Sequence, residues 1–186
     1  MNIKKNVKNF FPWIFKIYAV YVEFYASVLT IISPTLNTKY RYKRAFGKKL
    51  NLKNPQTLNE KILWLKLNKY SDDPLVIQCA DKYRVREYIK DCGCGDILNG
   101  LYGVYDSADE IPWDDLPNEF VLKWNFGAGM NVVCTDKSKL NRDEIVMQMK
   151  KWGKRKIWLP YSEMQYKYAP KKIVCERLIN AYEEEN

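Results

Sequence analysis

Along this chain the period of hydrophobic and polar positions changes several times, and each change marks an element. The longest apolar run covers residues 10–33, F-F-P-W-I-F-K-I-Y-A-V-Y-V-E-F-Y-A-S-V-L-T-I-I-S. Projected on a helix, Lys16, Glu23, Ser27 and Thr30 gather on one narrow face, and apolar and aromatic side chains fill the rest. The run has the length of a membrane span, yet Lys16 and Glu23 interrupt it. A helix lying in a membrane interface, with Trp13, Tyr18, Tyr21 and Tyr25 at headgroup depth, fits the pattern. A helix packed on protein fits it too, and a true span is a third reading. No small-residue cleavage pattern follows, so a signal peptide is not expected.

Past a boundary near residues 38–52 the pattern becomes that of an ordinary α+β domain. Thr57-Leu-Asn-Glu60 reads as a capping box opening a helix with Ile62, Leu63, Leu65 and Leu67 on its apolar face. Asp73-Pro74 opens a second helix, with Val76, Cys79, Ala80 and Tyr83 turned inward, continuing to about Lys90 and stopped by Gly93 and Gly95. Residues 101–105 (L-Y-G-V-Y) form a short strand, and 106–118, with Pro112 and Pro117, a turn-rich connection. Residues 120–124 and 131–135 alternate as two strands joined by a glycine-containing loop. Asn141-Arg-Asp-Glu144 caps a helix to about Trp152. A basic, aromatic loop runs from Lys154 to Lys172, and a final strand covers 173–179. No internal repeat is visible.

Composition narrows the function more by what is missing. The chain has 186 residues, 47% of them hydrophobic, enough to bury a core. It contains no histidine, which removes Ser-His-Asp, Cys-His and histidine general-base chemistry. Five cysteines, odd in number and without secreted-scaffold spacing, read as reduced cytosolic thiols. Cys92-Gly-Cys94 lacks the second pair that a structural zinc site needs, so no metal is assigned; a tight turn with small buried thiols is expected. The charge is asymmetric: residues 1–70 hold 14 Lys/Arg against Glu23 and Glu60, a balance of +12 within a chain total of +9. Lys4, Lys5 and Lys8 precede the apolar run, and Lys39, Arg41, Lys43 and Arg44 follow it. An anionic membrane surface suits that distribution, whereas no nucleic-acid-binding motif supports nucleic acid as a partner. The expected location is cytoplasmic, peripheral on the inner face of the cell membrane.

The candidate chemistry lies in residues 120–131, F-V-L-K-W-N-F-G-A-G-M-N. Alternation puts Phe120, Leu122 and Trp124 on one face and Val121 and Lys123 on the other. Gly127-Ala128-Gly129 can bring backbone N–H groups close to an anion, and a lysine converging on such amides suits nucleotide phosphates. A P-loop does not fit, because the lysine precedes the glycines and a strand follows them. A kinase loop does not fit either, since its lysine comes on a later strand. An exposed lysine beside a tight turn is the plain alternative.

Four segments, N-P-Q-T-L-N-E-K-I-L-W-L-K-L, A-D-K-Y-R-V-R-E-Y-I, L-Y-G-V-Y-D-S-A-D-E-I and L-P-N-E-F-V-L-K-W-N-F-G-A-G-M-N, followed by I-V-C-E-R-L-I, occur in an order that resembles the ATP-grasp superfamily. The closer likeness is to its teichuronopeptide-biosynthesis (TupA-like) branch, over about residues 50–180. The resemblance implies an α+β fold, the N-terminal half of an ATP-grasp with a mixed or antiparallel sheet, as a partial domain over 50–186; the basic, aromatic, amphipathic helical arm over 1–45 lies outside it. It implies ATP as ligand, with Lys82 and Lys123 on the phosphates and the loop from Asn125 through Gly127, Ala128 and Gly129 to Asn131 folded over them. Glu176, Arg177, Leu178 and Ile179 would offer backbone to the adenine, and Glu183 a carboxylate to the ribose, with Glu184 and Glu185 as competitors. The loop reads N-F-G-A-G-M-N where the commoner form is H-G-S-G-G-N, so a histidine and a serine hydroxyl are absent from it. Mg²⁺ would be held by carboxylates from a second half, expected as a separately encoded partner, and the chain alone is expected not to complete the reaction. The implied activity is ATP-dependent carboxylate–amine ligation in surface-polysaccharide or teichuronopeptide biosynthesis. A non-catalytic remnant or binding module is the alternative, and sugar transfer, the label the branch often carries, a third.

Overall fold

The computed structural model describes residues 12–179, and the chain divides into two compact units, one of residues 1–71 with 157–164 and one of 72–156 with 165–186. The division does not follow the expected boundary near 45–50. Helices on both sides of that boundary pack together, and a distant segment returns to join them.

The first unit is helical. α1 (Pro12–Ile32), α2 (Pro34–Phe46) and α3 (Leu58–Asn68) are joined by a short helix, α4, at Trp158–Tyr161. Pro34 starts α2 directly after α1, where its missing N–H is no loss. The expected capping box opens α3: Thr57 Oγ1 accepts from Glu60 N (3.3 Å), and Glu60 Oε2 accepts from the backbone of Thr57 and Gln56 (3.0 Å each). These bonds hold the Glu60 carboxyl down at about 2.

The inward side of α1 is its small and polar side. Ala26 and Thr30 are buried, whereas Val20, Phe24, Ile31 and Ile32 are each about two-thirds exposed. Thr30 Oγ1 lies 2.7 Å from Leu159 O, 2.8 Å from Ser162 Oγ and 2.7 Å from Asn37 Nδ2, and Asn37 Nδ2 also donates to Pro160 O (3.0 Å). A buried polar cluster therefore joins α1, α2 and α4, and the apolar surface of α1 faces outward.

The second unit is α+β. Its helices are α5 (Pro74–Ala80), α6 (Val85–Asp91), α7 (Arg142–Gly153) and α8 (Gln165–Tyr168). Its strands, β1 (Leu101–Tyr105), β2 (Phe120–Trp124), β3 (Asn131–Cys134) and β4 (Ile173–Glu176), form one antiparallel sheet in the order β1-β4-β2-β3. The alternation of β2 is as expected: Phe120, Leu122 and Trp124 are buried, while Val121 and Lys123 are half-buried on the opposite face. Trp124 Nε1 donates to Met149 O on α7 (3.0 Å), and a Cβ on Gly153 would come within 2.6 Å of the Trp124 ring, so this glycine lets helix and sheet approach closely.

Several local expectations need correction. The single helix expected from Asp73 to Lys90 is two, because Asp81 leaves the helical region and its Oδ1 accepts from Tyr83 N (2.8 Å) and Arg84 N (3.1 Å). Cys79 and Tyr83 are consequently exposed rather than turned inward. The Cys92-Gly93-Cys94 turn is present, with Gly93 at φ 76, but both thiols are exposed. The basic loop 154–172 contains α4 and α8, and the last strand stops at Glu176 instead of reaching 179.

Candidate functional site

The site grows out of the break at Asp81. With the helix interrupted, Lys82 N is free of helical bonding and donates to Asn125 O (2.9 Å), directly after β2. Lys82 Nζ then reaches Gly127 O at 2.5 Å. The loop after β2 thus receives both the backbone and the ammonium of Lys82. Gly127 and Gly129 sit at φ 65 and 73, a region that side chains with a Cβ rarely adopt. Ala128 and Gly129 are exposed, and a Cβ built on Gly129 would meet nothing within 4 Å, so the loop tip is open to a ligand.

Asn125 holds this loop in place. It is fully buried, and every polar group it has is used inside the protein. Nδ2 donates to Asp81 Oδ2 (2.7 Å) and Pro170 O (2.7 Å), Oδ1 accepts from Lys172 N (2.9 Å), and its own N donates to Lys172 O (2.9 Å). Its side chain therefore positions the loop and is not turned to a phosphate. Asn131 is exposed and lies opposite Lys123 in the β2–β3 register.

On the open face of the sheet, Lys123 Nζ contacts Glu176 Oε2 at 2.5 Å. Arg86 Nη1 approaches the other oxygen of that carboxylate at 3.4 Å, and Arg86 Nη2 donates to Asn99 O at 2.7 Å. The Glu176 side chain is 8% exposed, so one nearly buried carboxylate stands between two cations. Lys82 is close enough for its proton affinity to feel this group. Burial lowers it first and the charge of Lys123 lowers it further, while Asp81 and Glu176 pull it partly back. Lys123 and Arg86 flank Glu176 and Lys82 stands nearby, so three cations share two carboxylates, with Asp81 already committed to Asn125 and to two backbone amides. Excess buried positive charge of this kind is unfavourable without an anion to complement it.

Two of the sequence-derived positions have partners within the protein. Glu176 contributes its side chain to the cation cluster, and its backbone lies in the strand ladder. Arg177 has both backbone groups engaged, its N–H with Gly100 O (2.9 Å) and its carbonyl with Asn99 Nδ2 (2.8 Å). Leu178 is half-buried and Ile179 is 66% exposed. Glu183, with Glu184 and Glu185, lies outside the described residues. Arg86 was not singled out from the sequence. Its spacing of four from Lys82 was the available signal, since that spacing shares a face on a continuous helix.

The remaining nucleophilic candidates are unpromising. Burial pushes the Cys175 thiol up to about 12, which keeps it protonated. Among the described residues, no three His, Cys, Asp or Glu side chains come together as metal ligands.

An antiparallel sheet thus carries one lysine beside a glycine hairpin, and a second lysine reaches that hairpin from the broken helix. A family model described as TupA-like ATPgrasp matches residues 60–186, and the chain belongs to that family. No curated protein and no solved structure matches the chain.

Proposed function

We propose that the second unit binds the triphosphate of ATP against Lys82, Lys123 and the loop 125–131, as the nucleotide side of a carboxylate–amine ligase. The supporting observation is that Lys123 and Arg86 share the carboxylate of Glu176 while Lys82 reaches the open glycine loop beside them. A polyanion entering there relieves the repulsion, and Lys82 and Lys123 exchange their present oxygen partners for phosphate oxygens. Loop amides add neutral donors, Asn125 keeps the loop in register, and Arg86 with Glu176 orients Lys123. In a ligase of this class ATP gives its terminal phosphoryl group to a substrate carboxylate, releasing ADP, and an amine then displaces that phosphate to leave an amide. By the branch it belongs to, the acceptor is a carboxylate-bearing precursor of a surface polymer, a uronic acid or a peptide.

Titration calorimetry with a non-hydrolysable ATP analogue and with adenosine tests the site. A charge-assisted hydrogen bond contributes roughly 1.5–3 kcal/mol, so Lys82→Met or Lys123→Met should weaken the analogue about ten- to a hundredfold and leave adenosine nearly unchanged. Undiminished binding of the analogue in both variants would remove the assignment.

We also propose that the first unit rests on a membrane surface from the cytoplasmic side. The support is the outward apolar face of α1: residues 13–32 are long and apolar enough to cross a membrane by length and composition, with only 11% buried. Lys16 and Glu23, both exposed within the run, favour a helix lying in the interface over a span.

A further inference from the structure

Three cations of the first unit line one cleft. It occupies about 610 Å³ among α2, α3 and the segment 157–164, and Val22 of α1 also reaches it. Arg41, Arg44 and Lys66 line it against one carboxylate, Glu163. Arg41 lies over the Tyr161 ring at 3.9 Å and donates to Pro160 O at 3.2 Å. Lys66 Nζ donates to Tyr161 O at 2.9 Å. Arg44 donates to the hydroxyls of Tyr18 and Tyr40, each at 3.1 Å. Carbonyls, hydroxyls and a ring face orient these cations without neutralising them. Burial lowers the proton affinity of Lys66, Glu163 raises it and Arg41 lowers it again, so one carboxylate is shared among crowded charges.

Thr38, in the cleft wall, is 2% exposed, so the recognition falls to the cations. The other walls are apolar, among them Phe46, Ile62 and Leu63. Tyr18 and Val22 connect the cleft to α1, whose exposed surface is apolar. The occupant therefore combines an anionic oxygen-rich head with an apolar body.

We propose that this cleft holds the phosphate headgroup of an anionic phospholipid, with Arg41, Arg44 and Lys66 on the phosphate and the acyl chains continuing along the outer face of α1. The proposal rests on the reading of the first unit as membrane-bound, and the experiment separates the two. The full chain is floated with vesicles of phosphatidylcholine alone and of phosphatidylcholine mixed with phosphatidylglycerol. Wild type should be captured by both and preferentially by the mixture. Arg41→Gln and Lys66→Gln should each weaken capture on the mixture about ten- to a hundredfold, the loss of a charge-assisted contact. Lys39→Gln and Lys43→Gln, exposed cations of α2 outside the cleft, should each cost only about fivefold, the diffuse contribution of one surface charge. Circular dichroism verifies that each variant is folded. Equal losses for cleft and non-cleft cations would overturn the headgroup site and leave the membrane reading standing. Absence of wild-type capture on either vesicle would overturn the membrane reading itself. Glycerol phosphate in solution is the last arm: affinity equal to that for the vesicles would assign the cleft to a soluble phosphate and overturn the lipid.

Discussion

Lys82 serves the fold and the proposed phosphate site through separate atoms. Its amide is a structural donor to Asn125, and its ammonium stands half-buried beside a second lysine. The proton on that ammonium is therefore held more weakly than on a free lysine, whose usual value is 10.5. A polyanion binds the protonated form, so the sign is fixed. Affinity for the ATP analogue should be full below the depressed value and fall as pH rises through it, before an ordinary lysine would begin to titrate. Adenosine, with no phosphate, should show no such decline. Calorimetry across the alkaline range reads both curves, and parallel curves would separate Lys82 from the phosphate. Lys123 was legible in the sequence because β-alternation assigns its face whatever the tertiary fold. The pairing of Lys123 with Glu176 was not, because two residues 53 apart meet only through strand register, which no local pattern encodes.

Elements with a complete local grammar were readable, and those decided by a distant partner were not. The helix at α3 carries its own start signal, and the structure closes both halves of that cap. The strands β1 and β2 begin and end where alternation and turn residues place them. The break between α5 and α6 was hidden, since Asp81 and Lys82 suit a continuing helix. What opens it is a carbonyl and an amide of Asn125, some forty residues away. The outward face of α1 was likewise beyond a projection, which shows a polar stripe but not which side packs inward. At this scale the α3 cap gives a direct test. Thr57→Ala should lower stability by about 1 kcal/mol in urea unfolding. Glu60 gives the acid counterpart: its folded value of about 2 lies below the usual 4.5 because backbone amides of Thr57 and Gln56 bind the carboxylate. Its contribution is fully present above 4.5 and is lost as pH falls toward 2, so Glu60→Gln should flatten that limb of the stability curve.

For the whole molecule, charge and apolar surface are distributed together. The basic excess lies in residues 1–70 and the outward apolar helix lies within them, whereas the remaining chain balances at −3. Side chains on the outer face of α1 contribute little to folding in water. Phe24, at 68% exposure, is the clearest case. Phe24→Ser should leave the unfolding midpoint nearly unchanged, within about 0.5 kcal/mol. If the face enters a bilayer, the same change forfeits about 2 kcal/mol of burial and lowers vesicle partitioning roughly thirtyfold. Co-sedimentation beside a melting curve measures the two effects on one sample. A large loss of stability would mean that protein, not lipid, covers this face.

The bonds around Asn125 also set a clock. The amide protons of Lys82, Asn125 and Lys172 belong to three stretches of chain, yet each is held in a bond to which Asn125 contributes an atom. None can be released to solvent by fraying of its own segment alone. In deuterated buffer the three should exchange together, at one rate set by a shared opening, and more slowly than the exposed tip at Ala128 and Gly129. Asn125→Ala keeps its own backbone groups but deletes the side-chain acceptor for Lys172. That amide should then exchange ahead of the other two, splitting one rate into two. Three independent rates in the wild type would mean that the loop 125–131 and Lys82 move separately, and that the lysine is not carried with the loop it touches.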